Sequence, residues 1–145
     1  MRFFAANWQF WALLSAIFAA MTAILAKLGV AGINSDLATF IRTIVVAAAL
    51  GMLLIVTGQF AAPGPIPRRA IVFLILSGLA TGASWLCYFR ALDIGQAAQV
   101  APVDKLSVVL VAIFGALLLG EHLSLRGWIG IALISLGVVL VAIKG

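Results

Sequence analysis

Residues 96–143 read QAAQVAPVDKLSVVLVAIFGALLLGEHLSLRGWIGIALISLGVVLVAI. The stretch holds two apolar runs, Gln96 to Leu119 and Gly127 to Ile143, separated by a polar turn from Glu121 to Arg126. A hydrocarbon core about 30 Å thick is crossed by roughly 20 mainly apolar residues in a helix. A surface helix of a soluble protein keeps a polar face, and these runs have none of comparable width. Moving toward the N-terminus, the same arithmetic finds three more runs, Trp8 to Val30, Ser35 to Thr57 and Ala70 to Leu92. The fold class that follows is an all-α polytopic membrane protein with five transmembrane helices, forming one membrane domain over residues 1–145.

The boundaries rest on breakers. Gly29, Gly32 and Asn34 part the first two runs, and Asn34, Ser35 and Asp36 supply capping groups for the second. Gly58, Pro63, Gly64, Pro65 and Pro67 precede Arg68 and Arg69 in a connection that no helix crosses intact. Asp93 and Gly95 make the next turn. The runs are continuous rather than alternating, which argues against a transmembrane β-barrel. The first run is longer than a signal-peptide core, and no small-residue cleavage site follows it, so it reads as retained.

Composition agrees and excludes several function classes. The chain is 66% hydrophobic and 9% charged, with a mean hydropathy of +1.29. A soluble domain is about half apolar and a quarter charged. The net charge of +5 comes from dispersed Lys and Arg without a basic arm, so it points to topology and anionic headgroups and not to nucleic acid. One cysteine, Cys87, makes no intramolecular disulfide, and one histidine, His122, with four acids makes no usual metal cluster. P-loop, GxSxG and HExxH motifs are absent, so neither an enzyme nor a cofactor is expected. The expected location is the inner cell membrane, as a multi-pass protein.

With five spans the termini lie on opposite sides. The N-terminal side collects Arg2, Arg68, Arg69 and Arg126, and the other collects Lys27, Arg90 and Lys144, a difference of one cation. So small a bias decides orientation weakly. The chain therefore either takes a single orientation or inserts both ways, and two opposed copies would reproduce the inverted repeat of many secondary transporters. Trp8, Trp11, Trp128 and Tyr88 fall at span ends, where aromatic anchors sit, and Trp85 lies deeper. Lys27 and Arg90 lie near span ends and are expected to snorkel to headgroups.

Charges inside a span are the first candidates for function, because each needs a partner or a wet cavity. Arg42 lies about 10 Å into the second run and Asp104 and Lys105 about 12 Å into the fourth, at 1.5 Å per residue. Arg42 and Asp104 are expected either to lock two helices together or to wall a substrate path. Helical spacing groups Asp36, Thr39, Arg42 and Thr43 on the second span and Thr81, Ser84, Trp85 and Tyr88 on the third. With Gln99, Asp104, Lys105 and Ser107 from the fourth, these outline a half-polar chamber in which Trp85 and Tyr88 offer cation–π surfaces, Tyr88 being alternatively an interfacial anchor. Pro102 is expected to kink the fourth span just before Asp104, leaving carbonyls near Gln99 or Val100 free. His122 reads as a solvated turn histidine in preference to a proton relay. Gly78 and Gly82, in GxxxG spacing, and Gly130 and Gly137 mark packing or dimer faces.

The segment from Ala101 through Pro102, Asp104 and Lys105 to Leu110, the Leu119-Gly120-Glu121 ending, and the following Leu123 to Gly130 resemble the EamA family of the drug/metabolite transporter superfamily. The resemblance implies a five-helix repeat with an early proline in the fourth helix, a terminal Gly-Glu and a Gly-rich fifth. Familiar members carry two such repeats of opposite orientation and move amino acids, metabolites or drugs. One repeat implies a homodimer, and an antiparallel one restores the ten-helix form. The expected function is alternating-access transport of small metabolites or drugs, with the lipid bilayer and a small-molecule substrate as partners. Asp104 is the one deep acid, and pairing it with a cation makes it a poor proton carrier. Two other readings stay open: a non-transporting accessory or scaffold subunit, and a subunit of a flippase for lipid-linked substrates.

Overall fold

A computed structural model describes residues 7–61, 64 and 66–143. Arg2, Pro63, Pro65 and Lys144 of the sequence reading lie outside the described residues. The order is α1 (Trp8–Val30), α2 (Ser35–Val56), a 3-10 turn (Gln59–Ala61), α3 (Arg68–Ile94), α4 (Ala97–Asp104), α5 (Ser107–Leu118) and α6 (Leu125–Ala142). Among the described residues, five spans are long and apolar enough to cross a membrane, with α4 and α5 together forming the fourth, Ala97–Leu118.

Local chemistry sets the ends. Gly32 takes a φ of +81°, open to a residue without Cβ, and turns the chain out of α1. Asn34 then caps α2, its Oδ1 accepting from the N–H of Asp36 at 2.8 Å and of Leu37 at 3.2 Å. Asp36 adds a negative charge to that first turn, where the helix dipole favours it. Ser124 caps α6 in the same way, its Oγ accepting from Gly127 N–H at 3.3 Å. The third span runs further than the apolar run from Ala70 to Leu92, because α3 takes Arg68 and Arg69 into its first turn and Asp93 into its last. Pro67 stands immediately before it, and its carbonyl accepts from Ile71 N–H at 3.2 Å.

The fourth span is not one helix. Pro102 lies inside α4 and carries no N–H, so the carbonyl that loses its donor is that of Ala98, four residues back, and not those of Gln99 or Val100. The break falls after Asp104 instead of before it, at Lys105 and Leu106. There Lys105 N–H donates to the carbonyls of Ala101 at 3.3 Å and Pro102 at 3.0 Å. Leu106 N–H donates to Val103 and Val108 N–H to Lys105, each at 3.0 Å. These three-residue steps are a 3-10 tightening, which keeps the backbone turning while interrupting the α-helix. Among the described residues, no backbone bond across the break uses the Asp104 carbonyl or the Ser107 N–H.

The chain divides into two compact units, Leu25–Asp93 and the remainder. In the first, Val30 and Leu92 are the most deeply buried side chains, accompanied by Ala26, Ala38, Thr39 and Phe89. In the second, both pieces of the fourth span pack on α6, and Ala112, Gly115 and Val138 are buried.

Candidate functional site

The polar residues grouped by helical spacing on the second and third spans lie within the Leu25–Asp93 unit. At their centre the Arg42 guanidinium lies over the Trp85 ring, 4.0 Å from its centroid, with the Phe89 ring 5.7 Å away. Arg42 and Trp85 are half-buried and Phe89 is buried. The electron-rich ring face stabilises the cation by about 0.5–2 kcal/mol, more as water is removed. Sequence spacing had put Arg42 and Trp85 on facing positions. Phe89 escaped notice because a phenylalanine in an apolar run carries no signal of its own.

The hydroxyls around this stack are committed to their own helices. Thr39 Oγ1 donates to the Ser35 carbonyl at 2.9 Å, Thr43 Oγ1 to the Thr39 carbonyl at 2.8 Å and Thr81 Oγ1 to the Ser77 carbonyl at 2.9 Å. Each therefore offers its remaining lone pairs, and acts toward a ligand as an acceptor. Thr39 is buried, whereas Thr43, Thr81 and Ser84 are exposed. Tyr88 is half-buried, with its ring edge-on to Phe89 at 6.5 Å between centroids.

Two cations expected to snorkel are engaged within the fold. Lys27 Nζ donates to the Leu92 carbonyl and, at 3.5 Å, to that of Asp93, closing the C-terminal end of α3. Cations are favoured at that end of a helix, where carbonyls lack helical donors. Arg90 pairs with Asp36 at 3.2 Å. With side chains 68% and 50% exposed, that pair stabilises the fold by about 0–1 kcal/mol. It does commit the Asp36 carboxylate to Arg90.

In the other unit, the Asp104 carboxylate accepts from Lys105 Nζ at 3.0 Å, with Lys105 exposed and Asp104 half-buried. Within its own unit each deep group thus has its partner: Trp85 for Arg42 and Lys105 for Asp104. Gln99 is half-buried on α4, and Ser107 opens α5 at the break, exposed.

The Gly-Glu ending of the fourth span has a defined geometry. Gly120 takes a φ of +68°, and the Glu121 N–H returns to the Gly115 carbonyl at 3.0 Å. The Glu121 carboxylate then covers Gly115, where an added Cβ would meet Oε2 at 2.7 Å. On the next helix Leu123 packs on Gly127, 2.9 Å from where its Cβ would be.

Residues 6–143 match the family described as EamA-like transporters. The chain belongs to that family. A Sinorhizobium protein named "Uncharacterized transporter in cobO 3'region" is 61% identical over 137 residues, 94% of this chain and 97% of its own. No solved structure matches the chain. Membership, the transporter relative and five apolar spans make this EamA-like chain a multi-pass membrane transporter, and they point away from an enzyme. The resemblance drawn from Ala101–Leu110, the Gly-Glu ending and Leu123–Gly130 holds across nearly the whole sequence.

Within this EamA-like chain the close contacts of glycine lie outside the four positions marked for packing or dimer faces. An added Cβ at Gly78, Gly82, Gly130 or Gly137 would meet nothing within 4 Å, so among the described residues these positions close on no neighbouring helix. Gly115 and Gly127 do make close contacts, each with a side chain a few residues away in sequence, Glu121 and Leu123.

Proposed function

We propose that this chain moves small metabolites or drugs across the inner cell membrane by alternating access, as a homodimer of two copies inserted in opposite orientations. The observation that carries the proposal is Arg42 stacked on Trp85, about 10 Å inside a span by helical rise. A cation at that depth is costly unless it faces a partner or a wet cavity. Thr39, Arg42, Thr43, Thr81, Ser84, Trp85 and Tyr88 form the substrate-facing set of one unit, and Gln99, Asp104, Lys105 and Ser107, at the helix interruption that follows Pro102, that of the other. The interruption at Lys105 and Leu106 supports this role, since non-helical backbone at membrane depth is tolerated where it lines a cavity or is buried in protein.

The dimer rests on the single five-span set and on the near-equal cations of its two sides. The relative is matched over 97% of its length, so its chain is of the same size. Among the described residues the spans are mostly exposed along their length, which leaves faces for lipid and a second copy, with Gly78, Gly82, Gly130 and Gly137 free of close contacts within the chain.

The test is uptake of a metabolite panel into proteoliposomes, with and without a pH gradient, by wild type and Asp104→Asn. Saturable uptake that needs the protein is expected, and its absence across the panel would remove the transport reading. Because Lys105 holds Asp104, uptake is expected to depend little on the pH gradient, and a gradient-driven component that disappears in Asp104→Asn would make Asp104 a proton carrier. Reporter fusions at both termini check the orientation: signal from both sides is expected, and a single orientation would exclude the antiparallel dimer.

A further inference from the structure

The Leu25–Asp93 unit contains two acids, Asp36 and Asp93, against five cations, Lys27, Arg42, Arg68, Arg69 and Arg90. Asp36 is held by Arg90 at 3.2 Å near the ends of their helices. Asp93 is the penultimate residue of α3. Arg42 is the cation that lies deep in a span, and among the described residues its guanidinium makes neither a hydrogen bond nor an ion pair. The Trp85 face supports its charge and takes no N–H from its edge. A guanidinium has five donors in a rigid planar fork, and a ring lying under its central carbon consumes none of them.

The neighbouring threonines sharpen what this edge selects. Thr39 and Thr43 have given their protons to backbone carbonyls of α2, so they do not serve as donors to an anion. Recognition of negative charge on this face of α2 therefore falls to Arg42. Carboxylates and phosphates each present two oxygens that match its fork with two parallel hydrogen bonds, and in a medium of low dielectric such a charge-assisted pair is strong.

We infer that the Arg42–Trp85 stack is an oxyanion-recognition element and that the transported compounds are organic anions bearing a carboxylate or a phosphate. The inference deepens the transport reading and rests on it for the word "transported"; the binding site itself is tested separately. The ring supports the guanidinium charge, the guanidinium N–H groups take the oxyanion, and the lone pairs of exposed Thr43 accept from any N–H or O–H that the ligand carries beside it. The same chemistry is present in an anionic lipid headgroup, so both sources need to be distinguished.

The experiment uses the full chain in nanodiscs, with Trp8, Trp11 and Trp128 changed to Phe so that Trp85 alone reports by fluorescence. Acetate, benzoate, succinate and inorganic phosphate are titrated against benzamide and benzylamine, in phosphatidylcholine discs with and without phosphatidylglycerol. A saturable change with at least one of the anions is expected, weakened about tenfold or more in Arg42→Gln and partly restored in Arg42→Lys, which keeps charge but loses the planar fork. Benzamide and benzylamine are expected to leave the signal unchanged. Loss of the anion response on adding phosphatidylglycerol would assign the site to a lipid headgroup and overturn the soluble substrate. No response to any anion, or an equal response to benzamide, would overturn the oxyanion site, and this wild-type comparison stands even where Arg42→Gln fails to fold. Anion binding without uptake in proteoliposomes would retain the site and remove the transport reading. Uptake of neutral compounds untouched by Arg42→Gln would do the reverse.

Discussion

Arg42 and Lys105 are both cations set well inside a span, and the protein accommodates them by opposite means. Arg42 rests on an aromatic face in a continuous helix, and its charge stays uncancelled by any acid of its unit. Lys105 stands where the helix is interrupted and is cancelled by the adjacent Asp104 at 3.0 Å. The first arrangement keeps an electrostatic demand that a ligand satisfies. The second removes the demand locally and couples a neutralised pair to a weak point in the backbone. Charge in a membrane protein is thus informative only together with what answers it: an aromatic ring polarises toward a cation without consuming its donors, whereas a neighbouring carboxylate consumes them.

The contrast is open to test from the backbone outward. Pro102→Ala restores an N–H to the Ala98 carbonyl and removes a residue disfavoured by about 3 kcal/mol in a helix interior. If Pro102 is what sets the interruption, the variant resists denaturation more strongly and its exchange rate in proteoliposomes falls, read by unfolding in mixed micelles and by tracer exchange. An unchanged midpoint and rate would mean that packing, and not the proline, holds Lys105 and Leu106 out of the helix. A smaller effect is expected at the stack. A double-mutant cycle of Arg42→Met and Trp85→Leu should give a coupling of about 1–2 kcal/mol in the same unfolding assay. Coupling near zero would reduce the contact to proximity. The smallest effect belongs to the charged neighbours. A cycle of Asp104→Asn and Lys105→Gln is expected to couple by about 0.2–1 kcal/mol, as exposed pairs do, and to weaken with added salt. A coupling larger than that at Arg42 would invert the comparison.

Much of the fold was legible because length and continuous apolarity are what a bilayer demands of a span. Trp8–Val30 coincides with the run seen in sequence, and Asn34 caps α2 as its chemistry implied. The discrepancies have physical causes. Arg68, Arg69 and Asp93 interrupt an apolar run but not a helix, since charged residues at helix ends reach polar surroundings while the backbone continues, so α3 exceeds its apolar segment. The interruption at Lys105 and Leu106 was hidden because apolarity is insensitive to whether a carbonyl is bonded three or four residues onward. In the candidate site, helical periodicity grouped Arg42 with its threonines and Trp85 with Tyr88, since it reports which side chains share one face. It says nothing of contacts at long separation, such as Lys27 with Leu92 or Arg90 with Asp36. Those depend on how helix ends meet, and sequence alone leaves a terminal cation free to turn outward.

The bond from Lys27 to the end of α3 has a topological consequence. From Lys27 the chain runs through α2 and α3 and returns to the same ammonium at Leu92, so the segment is a macrocycle closed by hydrogen bonds 65 residues apart in sequence. Closing a loop of that length carries an entropic cost that rises only logarithmically with its size, and the Lys27 clasp meets it together with the buried packing of Val30 and Leu92. Chain entry and exit then sit side by side, as in a bead threaded onto a string. Both partners of the Arg42–Trp85 stack belong to that looped segment, so the clasp and the stack tie together the same stretch of chain.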